Sequence, residues 1–194
     1  FDPDVMLKVE GGKAALNRNV LANPDAFEPI DEPPLDVLRR LVAESQADVP
    51  PGLPSTAAGI YGYLGYDMVR LMEELPDKNT ATLGLPDAIL MRPSVLAVFD
   101  TLKDELYLTA PAYVRTGVSA RQAWESAHTR IDDASARLSR TLPYGSALPD
   151  LAAIEVTSNT STAEYAGMVD AAKEYIRAGD IFQVVLSQRF EARF

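Results

Sequence analysis

With 194 residues, 47% of them hydrophobic and 24% charged, the chain has the composition of one large or two small soluble globular domains. Its formal net charge of −10 would repel phosphate backbones, and no apolar run approaches the roughly 20 residues of a membrane span, so we expect neither a nucleic-acid partner nor a membrane location. The absence of cysteine excludes disulfides, thiolate metal sites and a cysteine nucleophile, and it fits a reducing cytoplasm.

The first half of the chain predicts two hairpins and one helix. Residues 1–19 alternate in hydrophobicity on both sides of a Gly-Gly pair, which indicates a β-hairpin with a glycine turn. Residues 23–34 are interrupted by prolines and read as an ordered loop. Residues 35–45 carry apolar side chains at helical spacing, so we expect a short amphipathic helix there. Residues 94–100 and 105–110 predict the arms of a second hairpin.

A glycine-spaced segment lies between these hairpins. Residues 59–67 read Gly-Ile-Tyr-Gly-Tyr-Leu-Gly-Tyr-Asp, and their tyrosine and β-branched content favours a strand. Gly59, Gly62 and Gly65 would thin its faces so that another layer can approach closely. The spacing could suggest a phosphate-binding loop, but the Gly-Lys-Ser/Thr ending is missing. A packing role for the glycines is therefore the preferred interpretation.

Two longer helices are predicted in the second half. In residues 119–140 the apolar positions recur every three or four residues and predict one buried stripe, made of Trp124, Ala127, Ile131, Ala134 and Leu138. The second helix begins at a capping box formed by Ser161 and Glu164, and Gly179 suits a left-handed C-terminal cap. Its predicted buried stripe consists of Tyr165, Met168, Val169, Ala172 and Ile176. Residues 142–149 contain proline and glycine and predict a boundary between two structural units.

The run from residue 181 to residue 190 is apolar, β-branched and without a breaker, so it predicts a well-buried strand. Gln183 lies inside this run, and a buried amide costs free energy unless it is hydrogen-bonded. Either Gln183 bonds to a neighbouring loop or it faces a polar ligand, and spacing alone leaves both open. His128, the single histidine, lies beside the stripe of the first long helix and is interpreted as a surface or boundary residue.

Hairpins that precede helices predict an α+β fold, with antiparallel β-sheets and helices packed outside them. The last predicted strand has no visible neighbour, so we expect the sheet to be incomplete at the C-terminal end. The chain begins with Phe1 rather than methionine, and we expect the true N-terminus to precede it.

Three segments, in the same order along the chain, resemble anthranilate synthase component I, the large chorismate-binding subunit. Residues 179–190, Gly-Asp-Ile-Phe-Gln-Val-Val-Leu-Ser-Gln-Arg-Phe, are similar to the entry strand of that family's chorismate-binding domain. Residues 59–70 and residues 1–4 resemble two further signatures, in its N-terminal regulatory half. The resemblance implies a regulatory-type domain over residues 1–150, lacking its first segment, and the opening helix and strand of the chorismate-binding domain over residues 151–194.

The resemblance also implies a chemistry for the full-length protein. The family is a lyase of tryptophan biosynthesis that converts chorismate and ammonia to anthranilate and pyruvate, with Mg²⁺ bound and with ammonia delivered by a glutamine amidotransferase partner. Water-using relatives carry a lysine at the position matching Gln183. A neutral amide cannot act as that base, so Gln183 is expected on the nucleophile side of the chorismate pocket, where it would orient ammonia. Phe182 is the candidate wall of the pocket for the feedback inhibitor, tryptophan.

In this family the Mg²⁺-binding glutamates, the catalytic histidine and the general acid/base residue lie in motifs beyond Phe194. We therefore expect no metal ligand in the chain and no turnover of chorismate by the chain alone. Two alternatives stay open. Aminodeoxychorismate synthase component I, of folate synthesis, more often has asparagine where this chain has Val185. A stand-alone binding or regulatory module, without catalysis, is the other.

Overall fold

The computed structural model describes residues 1–76, 83–113, 116–141 and 155–192. The chain separates into two compact units, Phe1–Thr141 and Leu142–Phe194. The predicted boundary at residues 142–149 lies outside the described residues, and the assignment of residues 1–150 and 151–194 to two functional domains stays a prediction. The antiparallel strands and accompanying helices confirm the α+β class. No described helix is long and apolar enough to cross a membrane.

The first unit is built on a five-stranded antiparallel sheet. The strand order is β3-β2-β1-β5-β4, with β1 at Pro3–Glu10, β2 at Lys13–Asn17, β3 at Glu28–Ile30, β4 at Tyr61–Leu64 and β5 at Ala88–Pro93. The predicted first hairpin is confirmed as β1 and β2. β3 adds a short strand inside the stretch predicted to be a loop.

The alternating side chains of β1 show where the core of the first unit lies. Val5, Leu7 and Val9 point to one face and are at most 1% exposed. The predicted helix is confirmed as α1, Pro34–Glu44, which lays Val37 and Leu41 against the same face. Each of these side chains contributes about 1.5–3 kcal/mol when it is fully buried. The core of the first unit therefore lies between the sheet and α1.

The glycines of residues 59–67 act within the sheet. A Cβ on Gly62 would lie 2.0 Å from the carbonyl oxygen of Ile89, and one on Gly65 would lie 2.8 Å from that of Asp87. The close neighbour is therefore the backbone in and just before β5, and the expectation of a second approaching layer is wrong. Nothing lies within 4 Å of the corresponding position on Gly59, whose φ is +128°. After β4 the chain continues as a short 3₁₀ helix, Tyr66–Leu71.

The second predicted hairpin is confirmed as β6, Leu96–Asp100, and β7, Glu105–Thr109. The following helix, α2, spans Ala120–Leu138. Its buried residues are Ala123, Ala127 and Ala134, so the predicted stripe is wrong in part.

Trp124 is 60% exposed and Leu138 is 43% exposed, against the expectation that both are buried. The buried positions of α2 are alanines, whose small side chains let the helix lie close to its neighbours. Trp124 lies next to this alanine face, and its ring stacks on His128 with centroids 5.2 Å apart. An aromatic ring at that position finds its apolar contact on the helix surface and not in the core.

The second unit contains α3, Thr162–Ala178, and two short strands, β8 at Val156–Ser158 and β9 at Phe190–Ala192. The capping box of Ser161 and Glu164 is confirmed, and Gly179 has the expected left-handed conformation with φ of 82°.

The buried strand predicted for residues 181–190 is wrong. Only Phe190 belongs to a strand, and Phe182 and Val185 are 95% and 83% exposed. Within the described part of the chain no strand lies beside residues 181–189, so their backbone forms no ladder with a neighbouring strand. The stripe predicted for α3 is confirmed in part, because Ala172 is buried and Tyr165, Met168 and Val169 are half-buried, whereas Ile176 is 46% exposed.

Candidate functional site

Gln183 and Phe182 lie in the segment of irregular structure that joins α3 to β9, and the backbone bends at Phe182. The turn before this segment is closed by a backbone hydrogen bond, in which the N–H of Gly179 donates to the carbonyl of Ile176 at 3.2 Å. A left-handed residue at this position favours glycine, because other side chains are strained there. Gly179 therefore sets the direction in which the chain leaves the helix.

The far end of the segment is fixed by Asn159. The N–H of Asn159 donates to the carbonyl of Arg189 at 3.0 Å, and its side-chain oxygen accepts the N–H of Arg189 at 2.9 Å. Ser158 pairs with Phe190 in the β8–β9 ladder. The segment is thus held at both ends, while its middle lies at the surface of the unit.

Gln183 and Phe182 are both exposed, Phe182 by 95%. The side chain of Gln183 makes no hydrogen bond with any residue that the structure describes. The interpretation in which it bonds to a neighbouring loop is therefore not supported. The described residues also do not close a pocket around either side chain, so the roles of Gln183 beside chorismate and of Phe182 beside the inhibitor stay predictions.

The described residues do not bring a ready-made metal-binding group together. Among them, no three His, Asp or Glu side chains form a group that could hold a metal ion. The Mg²⁺ requirement that the resemblance implies therefore stays a prediction.

A buried charged cluster in the first unit was not predicted from the sequence. Arg92 is 3% exposed and donates from Nε and Nη2 to the two carboxylate oxygens of Asp4, both at 2.8 Å. Its Nη1 donates to the carbonyl of Glu44 at 3.3 Å. The ring of Tyr113 covers the guanidinium at 4.4 Å, and its hydroxyl donates to the carbonyl of Ser45 at 3.1 Å.

The electrostatics of this cluster are locally balanced. Burial alone would lower the pKa of Arg92, but hydrogen bonds and charge from Asp4 outweigh it and raise that pKa above its ordinary value. Burial raises the pKa of the Tyr113 hydroxyl, although Arg92 acts in the opposite direction. Both groups therefore hold their protons at neutral pH, and Arg92 stays a cation paired with a carboxylate.

A cavity of about 940 Å³ opens beside this cluster, with Arg92 and Tyr113 among its lining residues. Arg18 also lines it and is paired with Glu44 at 2.9 Å. Most of the remaining lining side chains are apolar, including Val49, Leu53, Ala57, Leu108, Pro111 and Ile131. Apolar walls with a few polar groups are typical of binding sites.

His128 has the surface position that the sequence predicted. It is stacked on Trp124 with an interplanar angle of 6°, and its Nε2 lies 3.8 Å from a carboxylate oxygen of Asp132. All three residues lie on the exposed face of α2. The His128 ring therefore packs against Trp124 on the surface of α2.

Comparison with known proteins defines the class. Residues 8–194 match the family described as chorismate binding enzyme, and the chain belongs to this family. Over 193 residues it is 47% identical to the anthranilate synthase component 1 of Cereibacter sphaeroides, a match that covers 99% of this chain and 39% of that protein. The anthranilate synthase component 1 of Thermus thermophilus is 39% identical over 142 residues, covering 73% of this chain and 29% of that protein.

A solved structure agrees with these matches. The crystal structure of anthranilate synthase component I from Streptococcus pneumoniae TIGR4 aligns with a TM-score of 0.75 and 28% identity, and it covers 99% of this chain and 40% of that one. The resemblance to anthranilate synthase component I is therefore confirmed. The chain spans about two fifths of the length of these relatives, 39% and 40% in the two matches that cover almost all of it.

Proposed function

We propose that the full-length protein is the aminase component of anthranilate synthase. It converts chorismate and ammonia to anthranilate, pyruvate and water, and a glutamine amidotransferase partner supplies the ammonia. The observation that carries this proposal is the 47% identity over 99% of the chain to a component 1 protein. The proposal concerns the whole protein, because this chain spans about two fifths of its relatives.

Gln183 is the residue of this chain that we place closest to the reaction. Ammonia is a stronger nucleophile than water, so it can attack without first losing a proton to a base. A neutral amide can accept a hydrogen bond from ammonia through its oxygen and so orient that lone pair without removing a proton. The side chain of Gln183 is exposed and makes no hydrogen bond with the described residues, which is compatible with this role.

Phe182 is the neighbouring residue, and we propose that it lines the pocket for tryptophan as feedback inhibitor. The backbone bends at Phe182. Side chains on a bend can point in different directions, so Gln183 would face the substrate pocket and Phe182 the inhibitor pocket. The exposure of Phe182 leaves its ring available for contact with the rest of the protein.

Magnesium dependence is part of the proposal, with ligands that lie outside the described residues. Removal of divalent cations with EDTA should abolish anthranilate formation by the full-length protein, and added Mg²⁺ should restore it. Formation at an unchanged rate in EDTA would contradict the proposed Mg²⁺ requirement.

Product analysis tests the function. Purified full-length protein is incubated with chorismate, Mg²⁺ and ammonium, and the products are separated by liquid chromatography and mass spectrometry. We expect equal amounts of anthranilate and pyruvate. Aminodeoxychorismate without pyruvate would instead indicate the folate-pathway enzyme, and isochorismate would indicate a water-using relative.

Substitution of Gln183 tests its role in the full-length protein. Gln183→Ala removes the group that orients ammonia, so we expect kcat/KM for ammonium to fall about 100-fold. Gln183→Lys should also lower anthranilate formation and add a hydroxylated product, because lysine can activate water. Gln188→Ala is the control in the same segment, where the exposed amide accepts a hydrogen bond from the Ser158 hydroxyl at 3.4 Å. Equal activity of the Gln183→Ala and Gln188→Ala proteins would show that Gln183 does not orient ammonia.

A further inference from the structure

The cavity of about 940 Å³ in the first unit has an unusual lining. Two runs of consecutive residues contribute to it, residues 46–50 and residues 108–113. Consecutive lining residues mean that the backbone itself follows the wall over these stretches. A pocket for a compact ligand is more often lined by single side chains from separate elements. We call this cavity the β7 groove, because the second run begins in β7.

The β7 groove lies beside an incomplete sheet. β6 and β7 pair only with each other among the strands that the structure describes. A two-stranded sheet is marginally stable by itself and normally gains a further strand or a packed layer. Large apolar side chains of this hairpin are exposed, with Phe99 at 69%, Leu102 at 95% and Leu106 at 45%. The hairpin therefore has both a free edge and an uncovered apolar surface.

The charges around the β7 groove indicate an uncharged occupant. Arg92 is paired with Asp4 in a bidentate ion pair, and Arg18 is paired with Glu44. An anionic ligand would find these cations already neutralised and would also meet Asp48 on the wall. An uncharged polypeptide with apolar side chains suits the walls of the β7 groove better, because its backbone needs hydrogen-bond partners and no counter-charge.

We propose that the β7 groove holds an extended polypeptide segment of the full-length protein, from the part outside residues 1–194. The segment adds to the free edge of β7 and covers apolar wall residues such as Leu108 and Ile131. Strand addition of this kind gains backbone hydrogen bonds along an exposed sheet edge. The chain's own remainder is the occupant we favour, because about three fifths of the length of the two relatives that cover almost all of this chain lies outside the matched region.

Thiol labelling of the full-length protein tests whether the groove is filled. These 194 residues contain no cysteine, so one introduced thiol can be followed here by peptide mass spectrometry. Ala112→Cys places the thiol in the groove wall, and Ala136→Cys places it on the exposed face of α2 as the control. We expect Ala112→Cys to react with iodoacetamide at least about 10-fold more slowly. Equal rates would show an open groove and overturn the proposal.

Cross-linking identifies the occupant. A photoreactive phenylalanine analogue replaces Ala47, an exposed residue of the first lining run, in the full-length protein. We expect cross-links to a contiguous stretch of the same polypeptide outside residues 1–194. Cross-links to a second polypeptide, or only to residues 1–194, would contradict this. Amide hydrogen exchange of the unsubstituted protein provides a check without any variant: the backbone amides of Leu108, Ala110 and Ala112 should be protected, and rapid exchange at all three would overturn strand addition.

Discussion

The two units of this chain carry similar sequence patterns and bury them very differently. In the first unit the alternating residues of β1 are at most 1% exposed, because α1 lies over that face of the sheet. In the second unit Ala172 is the one fully buried residue of α3, most of its apolar stripe is only half-buried, and Ile176, Phe182 and Val185 are exposed. A hydrophobic pattern therefore indicates a face that can be buried, whereas burial itself depends on the layer that covers it.

The largest difference between the two units should appear when an apolar side chain of each is truncated. Leu7→Ala leaves a cavity between β1 and α1 and should lower the free energy of unfolding by about 3–5 kcal/mol. Ile176→Ala should cost less than about 1 kcal/mol, because Ile176 is already 46% exposed. Urea unfolding of the 194-residue chain measures both by circular dichroism, with Trp124 fluorescence reporting on the first unit. An equal loss of unfolding free energy from both substitutions would mean that Leu7 and Ile176 are buried to the same extent.

Glycine-to-alanine substitutions should change the free energy of unfolding in opposite directions in the two units. Gly62→Ala places a Cβ 2.0 Å from the carbonyl oxygen of Ile89 at a φ of +155°, so it should lower the free energy of unfolding by about 2–3 kcal/mol. Gly167→Ala meets nothing within 4 Å in α3 and should raise it by up to about 1 kcal/mol through helix propensity. The same urea experiment applies. A stable Gly62→Ala protein would show that β4 and β5 can separate at no cost.

Acid should distinguish the two helix starts. Both have a capping box, Ser119 with Gln122 in α2 and Ser161 with Glu164 in α3. Hydrogen bonds from the backbone and the hydroxyl of Ser161 lower the pKa of Glu164. A lowered folded-state pKa adds stability above the ordinary glutamate pKa of about 4.3, and this stability is lost as the pH falls through the folded value.

We therefore expect the first turn of α3 to fray as the pH falls below the ordinary glutamate pKa of about 4.3, while the first turn of α2 does not. Backbone chemical shifts of the two turns measure this directly. Glu164→Gln should remove the pH dependence, and Ser161→Ala should weaken the helix start by about 1 kcal/mol at neutral pH. Similar acid responses of the two turns would exclude Glu164 as the cause.

Local signals were sufficient for much of the fold. The capping box at Ser161 and the cap at Gly179 were predicted at the residues where the structure has them, because each depends on a hydrogen-bonding pattern within a few residues. The two hairpins follow from alternation and turn composition in the same way. These features need no information about distant parts of the chain.

Features that depend on distant residues were missed. Residues 181–189 have the composition of a buried strand, but no described strand lies beside them. β5 was not predicted, although Ala88, Leu90 and Arg92 alternate and all point to the buried side. An arginine at such a position requires a counter-charge, and Asp4 is 88 residues away in sequence. That separation is why the buried cluster and the cavity beside it could not be read from neighbouring residues.

The role of Gln183 depends on residues outside the part of the chain that the structure describes. Its place in a family signature suggests a role beside the nucleophile, and its exposure in the second unit leaves that role to be tested in the whole protein. The surroundings that would turn an exposed amide into part of a pocket are not supplied by the described residues. The site, like the sheet of the second unit, needs partners from elsewhere in the protein.

Parallel assays of the full-length protein and of the 194-residue chain test the central claim most directly. Each is incubated with chorismate, Mg²⁺ and ammonium, and anthranilate is followed by its fluorescence. We predict steady formation of anthranilate by the full-length protein and none by the 194-residue chain. Anthranilate from the chain alone would contradict the claim that the catalytic groups lie outside it, and no anthranilate from the folded full-length protein would contradict the proposed function itself.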